Sequence, residues 1–354
     1  MFCLFLLPLT RLQSLEAVSK KEKGMSSIHK IDLFDFRLEN AAVKRWIPLY
    51  YQYFGQPVGT APVVLVNHAL TGNSQVTGEN GWWKSLIGSG AVIDTDYYTV
   101  IAFNIPGNGY DGNPDNLILN YTDFTTKDIA AIFWEGLESL GIQKLFAVIG
   151  GSLGGGIAWE MAFLKPLQIE NLIPIATDWK ATDWLIANVL VQDKILNNSE
   201  NPIHDARLHA MLLYRTPLSL NKKFNREQND PNKEYKVEGW LLHHGEKLKN
   251  RFQLASYKLM NHLLKTIGEA SHCGSFLQFG KETTAHIHLV AVDSDYFFTV
   301  DQNRETYEIL KRVHTNVYYH EIQSIHGHDA FLIEFEQLNT LLQKIFITAK
   351  QKIQ

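Results

Sequence analysis

Lys144-Leu145-Phe146-Ala147-Val148-Ile149-Gly150-Gly151-Ser152-Leu153-Gly154-Gly155 is the stretch that decides the fold. Residues 144–149 form a mostly apolar run, suited to a strand buried on both faces. The glycines around Ser152 fit Gly-x-Ser-x-Gly, the pattern of a nucleophile elbow. An apolar helical run, Ile157-Ala158-Trp159-Glu160-Met161-Ala162, leads away from it. A turn this tight needs glycines on both sides of the serine. It holds Ser152 above the edge of a sheet and aims the first helical amides at a reacting oxygen. The competing reading is a glycine-rich turn that binds a phosphate. No Lys-Ser/Thr follows the glycines, so it is not a P-loop.

Outward from the elbow, strand-like runs alternate with helix-like runs. This predicts an α/β protein with a mostly parallel central sheet and helices on both faces. Strands are expected at 45–54, 62–67, 97–103, 172–176, 286–292 and 317–322. Helices are expected at 125–140, stopped by Gly141, and at 330–350, where apolar residues recur at helical spacing. Between 179 and 280 the alternation breaks into helical patterns at 183–197, 203–214 and 247–267. This segment carries 14 basic and 10 acidic residues, against 19 and 27 in the remainder. It reads as a helical lid insertion, residues 179–280, within a core made of residues 25–178 and 281–354.

The whole chain has 354 residues, 45% of them hydrophobic and 20% charged, with a formal net charge of −4. That composition is globular and excludes disorder and a coiled coil. Mild acidity gives no reason to expect a nucleic-acid partner. No run approaches the ~18 apolar residues of a membrane span. The two cysteines, Cys3 and Cys273, cannot form a disulfide framework, which suits a reducing, cytoplasmic setting. Met1-Phe2-Cys3-Leu4-Phe5-Leu6-Leu7-Pro8-Leu9 resembles the apolar part of a signal peptide. It has no basic residue before it and no clean cleavage site after it. Residues 1–24 are therefore expected to be a non-native or disordered extension, with the chain proper opening near Met25.

A serine nucleophile needs a base, and the base an orienting acid. In this architecture they follow in the order Ser, Asp or Glu, His. The acid should end a late strand, where Asp293 and Asp295 both qualify. The base should precede the last helix, where His326 and His328 both qualify. The loop Asn67-His68-Ala69-Leu70-Thr71-Gly72 supplies a second oxyanion amide, so the backbone N–H groups of Leu70 and Leu153 are the expected oxyanion hole. His68 is expected to position that loop. His286 with His288, His243-His244 and the aromatics of 45–54 read as structural. No metal site is expected.

Together these blocks resemble the homoserine O-acyltransferase family of the α/β-hydrolase superfamily, from about residue 30 to the C-terminus. The carriers are His68-Ala69-Leu70-Thr71-Gly72, Trp83 with Leu86-Ile87-Gly88, Ile93-Asp94-Thr95, the elbow, Ser294-Asp295, and Gly327-His328-Asp329-Ala330-Phe331-Leu332. The resemblance implies a triad of Ser152, Asp295 and His328. Ala206-Arg207 and Tyr214-Arg215 look like the family's Ala-Arg…Tyr-Arg helix. Seven residues is about two turns, so Arg207 and Tyr214 share a face. By resemblance Arg207, Tyr214 and Asp329 recognise the amino-acid acceptor. Three stretches depart from the family pattern: Pro106 to Gly112, Gln192-Asp193-Lys194-Ile195, and Asp178-Trp179-Lys180.

The implied function is acyl transfer from an acyl-CoA, acetyl-CoA first, to the side-chain hydroxyl of an amino acid, L-homoserine first. It would run ping-pong through an acyl-Ser152 intermediate, in methionine biosynthesis, in a cytoplasmic homodimer with no bound cofactor. Succinyl-CoA as donor, L-serine as acceptor, and an esterase or thioesterase with the same triad are the alternatives.

Overall fold

Eight strands build one sheet: β1 (His29–Arg37), β2 (Val43–Gly55), β3 (Val63–Asn67), β4 (Thr99–Phe103), β5 (Leu145–Gly151), β6 (Ile169–Ile175), β7 (His286–Val292) and β8 (Val317–Ile322). The computed structural model describes residues 27–229, 233–269 and 273–351. The expected extension, residues 1–24, lies outside the described residues. The strand order is β1-β2-β4-β3-β5-β6-β7-β8. β2 runs antiparallel to both β1 and β4, and every other pairing is parallel.

Every residue of β3 and β4 is buried, as their continuous apolar runs require. Alternate side chains feed two apolar clusters, one on each face. Leu65, Ile101, Phe103 and Val148 join one; Val64, Val66, Val100 and Ile149 join the other. Register brings Asn67 of β3 beside Gly150 of β5, and Gly151 beside Ile175 of β6. The loop after β3 and the elbow therefore leave the sheet at the same edge.

The crossovers are helical. α1 (Thr126–Ser139) opens on a reciprocal cap, in which Thr125 Oγ1 accepts from the Asp128 amide and the Asp128 carboxylate accepts from the Thr125 amide. It ends before Gly141, at φ +75°. α2 (Leu153–Leu164) is buried along its first ten residues, Leu153 to Ala162, so it carries no polar face.

Between β6 and β7 lie α3 (Asp183–Asn198), α4 (Pro202–Tyr214), α5 (Pro217–Phe224), α6 (Lys236–Lys249), α7 (Leu254–Lys265) and α8 (Cys273–Glu282). α4 packs against α3 and α6, and α3 against α7. Buried polar bonds fasten this layer to the core. The Thr126 amide donates to Thr266 Oγ1 at 3.0 Å, and the Gly268 amide to Glu160 Oε1 at 2.8 Å. The departure at 178–180 also has a packing reason. Trp179 stacks on Phe276 at 4.1 Å, and Asp178 accepts from Thr306 Oγ1 at 2.8 Å on α9 (Val300–Leu310).

Three expectations need correction. The strand β1 was not expected. Asp35 takes φ +52° within it, so the buried residues Leu33 and Phe36 fall three apart and the two-residue alternation is lost. The helix expected at 247–267 is two helices, with a break at 250–253. The closing helix α10 begins at Phe335, because Gly327–Leu332 forms a 3-10 turn.

Burial pushes Glu160 from its ordinary 4.5 up to about 7, and Asp178 from 3.8 up to about 7. Both carboxyls therefore bind protons more tightly in the folded chain than in the unfolded one. Their contribution to stability is fullest in acid and is lost as pH rises from the ordinary carboxyl range through about 7. Each shift is worth on the order of 3 kcal/mol. Glu160→Gln should flatten the fall in melting temperature between about pH 5 and about pH 8. A wild-type-like pH slope in the variant would remove Glu160 as its source.

Candidate active site

Ser152 sits at φ 57°, ψ −125°, a strained conformation for a residue with a Cβ. The neighbouring backbone enforces it. A Cβ on Gly150 would stand 2.4 Å from the Gly154 carbonyl, and one on Gly154 2.3 Å from the Asn67 carbonyl oxygen. Strand, turn and helix thus touch backbone to backbone. The Ser152 amide donates to Ile175 O at 2.9 Å, which ties the elbow to β6.

Ser152 Oγ lies 2.9 Å from His328 Nε2, and His328 Nδ1 lies 2.7 Å from Asp295 Oδ2. Serine, histidine and aspartate are 4%, 3% and 3% exposed, so water competes little for these bonds. Asp295 follows β7, and its other oxygen accepts from the amides of Phe297 at 2.6 Å and Phe298 at 3.0 Å. The rings of Tyr214, Phe297, Phe298 and Phe331 surround the imidazole at centroid distances of 5.1 to 5.8 Å.

The residues left open by position take other places. Asp293 Oδ1 accepts from the Ser324 amide at 2.9 Å and closes the loop after β8. His326 Nδ1 faces Arg215 Nη2 at 2.8 Å and Ser219 Oγ at 3.1 Å. Burial, then Arg215, lowers its pKa, so His326 is a neutral acceptor that ties the histidine loop to the helical layer.

Leu153 is the first residue of α2, and its amide has no carbonyl one turn back to bond. The loop carrying Leu70 lies against that helix end, where Asn67 Nδ2 donates to Gly154 O at 3.3 Å. The two amides expected to form an oxyanion hole thus belong to touching segments. His68 is buried beneath them, and burial lowers its pKa to about 4. Its Nε2 accepts from the Ile105 amide at 3.1 Å, so Nδ1 carries the proton and donates to Ala69 O at 2.8 Å.

Arg207, Tyr214 and Asp329 also converge. The Arg207 guanidinium sits 5.5 Å from the Tyr214 ring centre, and that ring lies 5.4 Å from His328. Burial pushes the Asp329 carboxyl up, with Arg207 the largest opposing influence. Burial pushes the Tyr214 hydroxyl far above its ordinary value, which keeps it a neutral donor. Sequence patterns gave no sign of Arg251, whose Nη1 donates to Thr71 O at 2.9 Å. Nor did they mark Asn108, which lies 3.4 Å from His68 Nε2 within one of the departing stretches. Neither sits in a recognisable motif.

His286 and His288 lie against Tyr318 as near-parallel stacked rings. Among the described residues no group of three or more His, Cys, Asp or Glu could hold a metal ion, and no helix is long and apolar enough to cross a membrane.

The strand order, the strained serine between β5 and α2, and Asp295 and His328 placed after β7 and β8 define an α/β-hydrolase-fold protein. A family model described as alpha/beta hydrolase fold matches residues 62–258. The homoserine O-acetyltransferase of Salinibacter ruber is 30% identical over 335 residues, covering 86% of this chain and 93% of that protein. The chain belongs to the homoserine O-acetyltransferase family. The homoserine O-acetyltransferase of Bacillus anthracis superposes with TM-score 0.81 at 19% identity, over 91% of this chain and 98% of that one. Esterase E22 superposes with TM-score 0.80 at 18% identity, over 91% and 100%. At such identities the likeness concerns the fold.

Asp295→Asn keeps the shape of the acid but leaves His328 without its carboxylate. Turnover should fall by about 10³–10⁴-fold, as removal of the orienting acid does elsewhere. Asp293→Asn should fall by less than about tenfold, since its oxygen serves only a loop amide. Steady-state rates of the two variants, reversed in order, would reassign the acid.

Proposed function

We propose that this chain transfers an acyl group, acetyl first, from coenzyme A to the side-chain hydroxyl of L-homoserine through an acyl-Ser152 intermediate. The observation that carries the reading is the buried Ser152–His328–Asp295 chain of hydrogen bonds. His328 Nε2 takes the Ser152 proton as Oγ attacks the thioester carbonyl. The Leu70 and Leu153 amides stabilise the negative oxygen of the tetrahedral intermediate. The intermediate collapses, the C–S bond breaks, and His328 returns the proton to the departing thiolate. The acceptor hydroxyl then gives its proton to His328 and attacks the acyl-serine carbonyl. Collapse of the second intermediate releases the ester and re-protonates Ser152.

Arg207 forks onto the acceptor's α-carboxylate, and Asp329 pairs with its α-ammonium, with Tyr214 between them. Water is the competing nucleophile. The aromatic enclosure of His328 and the helical layer of residues 179–280, read as a lid, disfavour it. We place the enzyme in the cytoplasm, in methionine biosynthesis, and as a homodimer. Trp184, Ile186, Leu190 and Val191 expose an apolar face on α3 that a second copy would cover. Sedimentation as a monomer at micromolar concentration would remove the dimer from this reading.

Free-thiol release from acetyl-CoA and succinyl-CoA, each with L-homoserine, L-serine or neither, tests the reading. Sustained release, beyond a single turnover per site, should require acetyl-CoA and L-homoserine together and fall by about 10⁴-fold or more in Ser152→Ala. Arg207→Ala should raise the acceptor KM by about 10- to 100-fold, the worth of a charge-assisted bond, with a smaller change in kcat. Equal release without any acceptor would make the protein a thioesterase. Faster release with succinyl-CoA or with L-serine would reassign donor or acceptor.

A further inference from the structure

Five polar side chains lie in the apolar interior behind the 67–72 loop. They are Gln52, His68, Ser74, Asn104 and Asn108, each at most 7% exposed. Burying so many polar groups is costly unless they satisfy one another. They do so as a connected chain. Ser74 Oγ donates to Gln52 Oε1 at 2.6 Å, and Asn104 Nδ2 donates to Ser74 Oγ at 2.9 Å. Asn104 Oδ1 accepts from the Ser74 amide and from Asn108 Nδ2, both at 3.0 Å. Asn108 Nδ2 reaches His68 Nε2 at 3.4 Å, beside the Ile105 amide at 3.1 Å. With Nε2 held as acceptor, His68 Nδ1–H donates to Ala69 O at 2.8 Å.

That last oxygen belongs to the Ala69–Leu70 peptide. A second donor, the Gly72 amide, reaches it at 2.9 Å. In a planar trans peptide the C=O and N–H point in opposite directions. Two donors clamping Ala69 O therefore fix the direction in which the Leu70 N–H points. Apolar packing cannot do this, because turning a peptide about its axis scarcely alters its shape. Donors on the carbonyl also polarise the peptide and strengthen its N–H as a donor.

We propose that Gln52, Ser74, Asn104, Asn108 and His68 are positioning residues, a buried chain that sets the plane of the Ala69–Leu70 peptide and so aims the Leu70 amide at the developing oxyanion. This rests on the reading of Leu70 as an oxyanion donor. The chain passes through Gln52 on β2, whose Nε2 donates on to Gln75 Oε1 at 3.0 Å, so the aim of the oxyanion hole is referenced to the sheet rather than to the loop alone.

Asn104→Asp tests it. The variant keeps the side-chain shape but replaces the Nδ2 donor with an acceptor, breaking the chain at its middle. Asn108→Ala, farther from the sheet, is the second variant. p-Nitrophenyl acetate is the probe, since its cleavage needs only Ser152, its base and the oxyanion donors. Burst amplitude counts folded active sites, and the acylation rate per site reports the oxyanion hole. Per-site acylation and kcat should fall by about 10- to 100-fold, part of what losing a whole oxyanion donor costs, while both substrate KM values stay within about twofold. If Asn104→Asp loses its burst amplitude through misfolding, Asn108→Ala decides. Wild-type rates per site, with only the melting temperature lowered, would overturn the positioning role. A burst that survives Ser152→Ala would instead overturn the proposed function itself.

Discussion

The contact of backbone on backbone at the elbow is the constraint on which the site depends. Gly150 lies against Gly154, and Gly154 against the carbonyls of Asn67 and His68, at distances that exclude a Cβ. This closeness forces Ser152 to φ 57° and brings the end of β3 alongside the start of α2. The strain at one residue, of order 1–3 kcal/mol, is held by a strand and a helix buried on all sides. The position of Ser152 is thus set by backbone packed between a buried strand and a buried helix. Asp295 and His328 arrive on loops after β7 and β8, which need their own fastening. Asp293, Ser294, Arg215 and Ser219 provide it, through bonds to the Ser324 amide, the Gly327 amide and His326.

Much of this was legible in the sequence, for reasons that differ by element. Strands β3, β4 and β5 read clearly because burial on both faces demands unbroken apolar runs. The elbow read clearly because so few residues tolerate its geometry. β1 did not, because a positive φ at Asp35 shifts the phase of its buried residues. Most of helix α6 lies outside the expected helical patterns, and its two glycines, Gly239 and Gly245, are poor helix formers. Gly245 is instead a close helix crossing, where a Cβ would meet His204 of α4 at 2.4 Å. At the site, Asp293 and Asp295 occupy nearly the same position in the chain, and so do His326 and His328. Chain position does not separate them; the family resemblance does, and so does three-dimensional direction. The bonds that do so run to the Phe297 and Phe298 amides on one side and to Arg215 on the other.

Charge is distributed to match. The histidine beneath the oxyanion loop is held neutral by burial, so its hydrogen bonds do not change sign across the physiological range. Glu160 and Asp178, by contrast, fasten the helical layer and the end of β6 at a cost that rises with pH. His68 is thus insensitive to mild changes in acidity, whereas the two carboxyls that fasten the surrounding layers are not.

On the proposed reading, the acceptor pocket completes this logic. Arg207 and Asp329 both approach Tyr214 and the imidazole, yet they form no ion pair with each other within 4.0 Å. Burial disfavours the charged carboxylate, and the guanidinium only partly offsets it. A zwitterionic amino acid carries one group for each: a carboxylate for Arg207 and an ammonium for Asp329. Its arrival would give each of the two groups an oppositely charged partner. A neutral alcohol or water brings no such compensation. Selection of an amino-acid acceptor over water then follows from electrostatics as much as from the closure of the helical layer, since only the zwitterion relieves the charges that the fold holds apart.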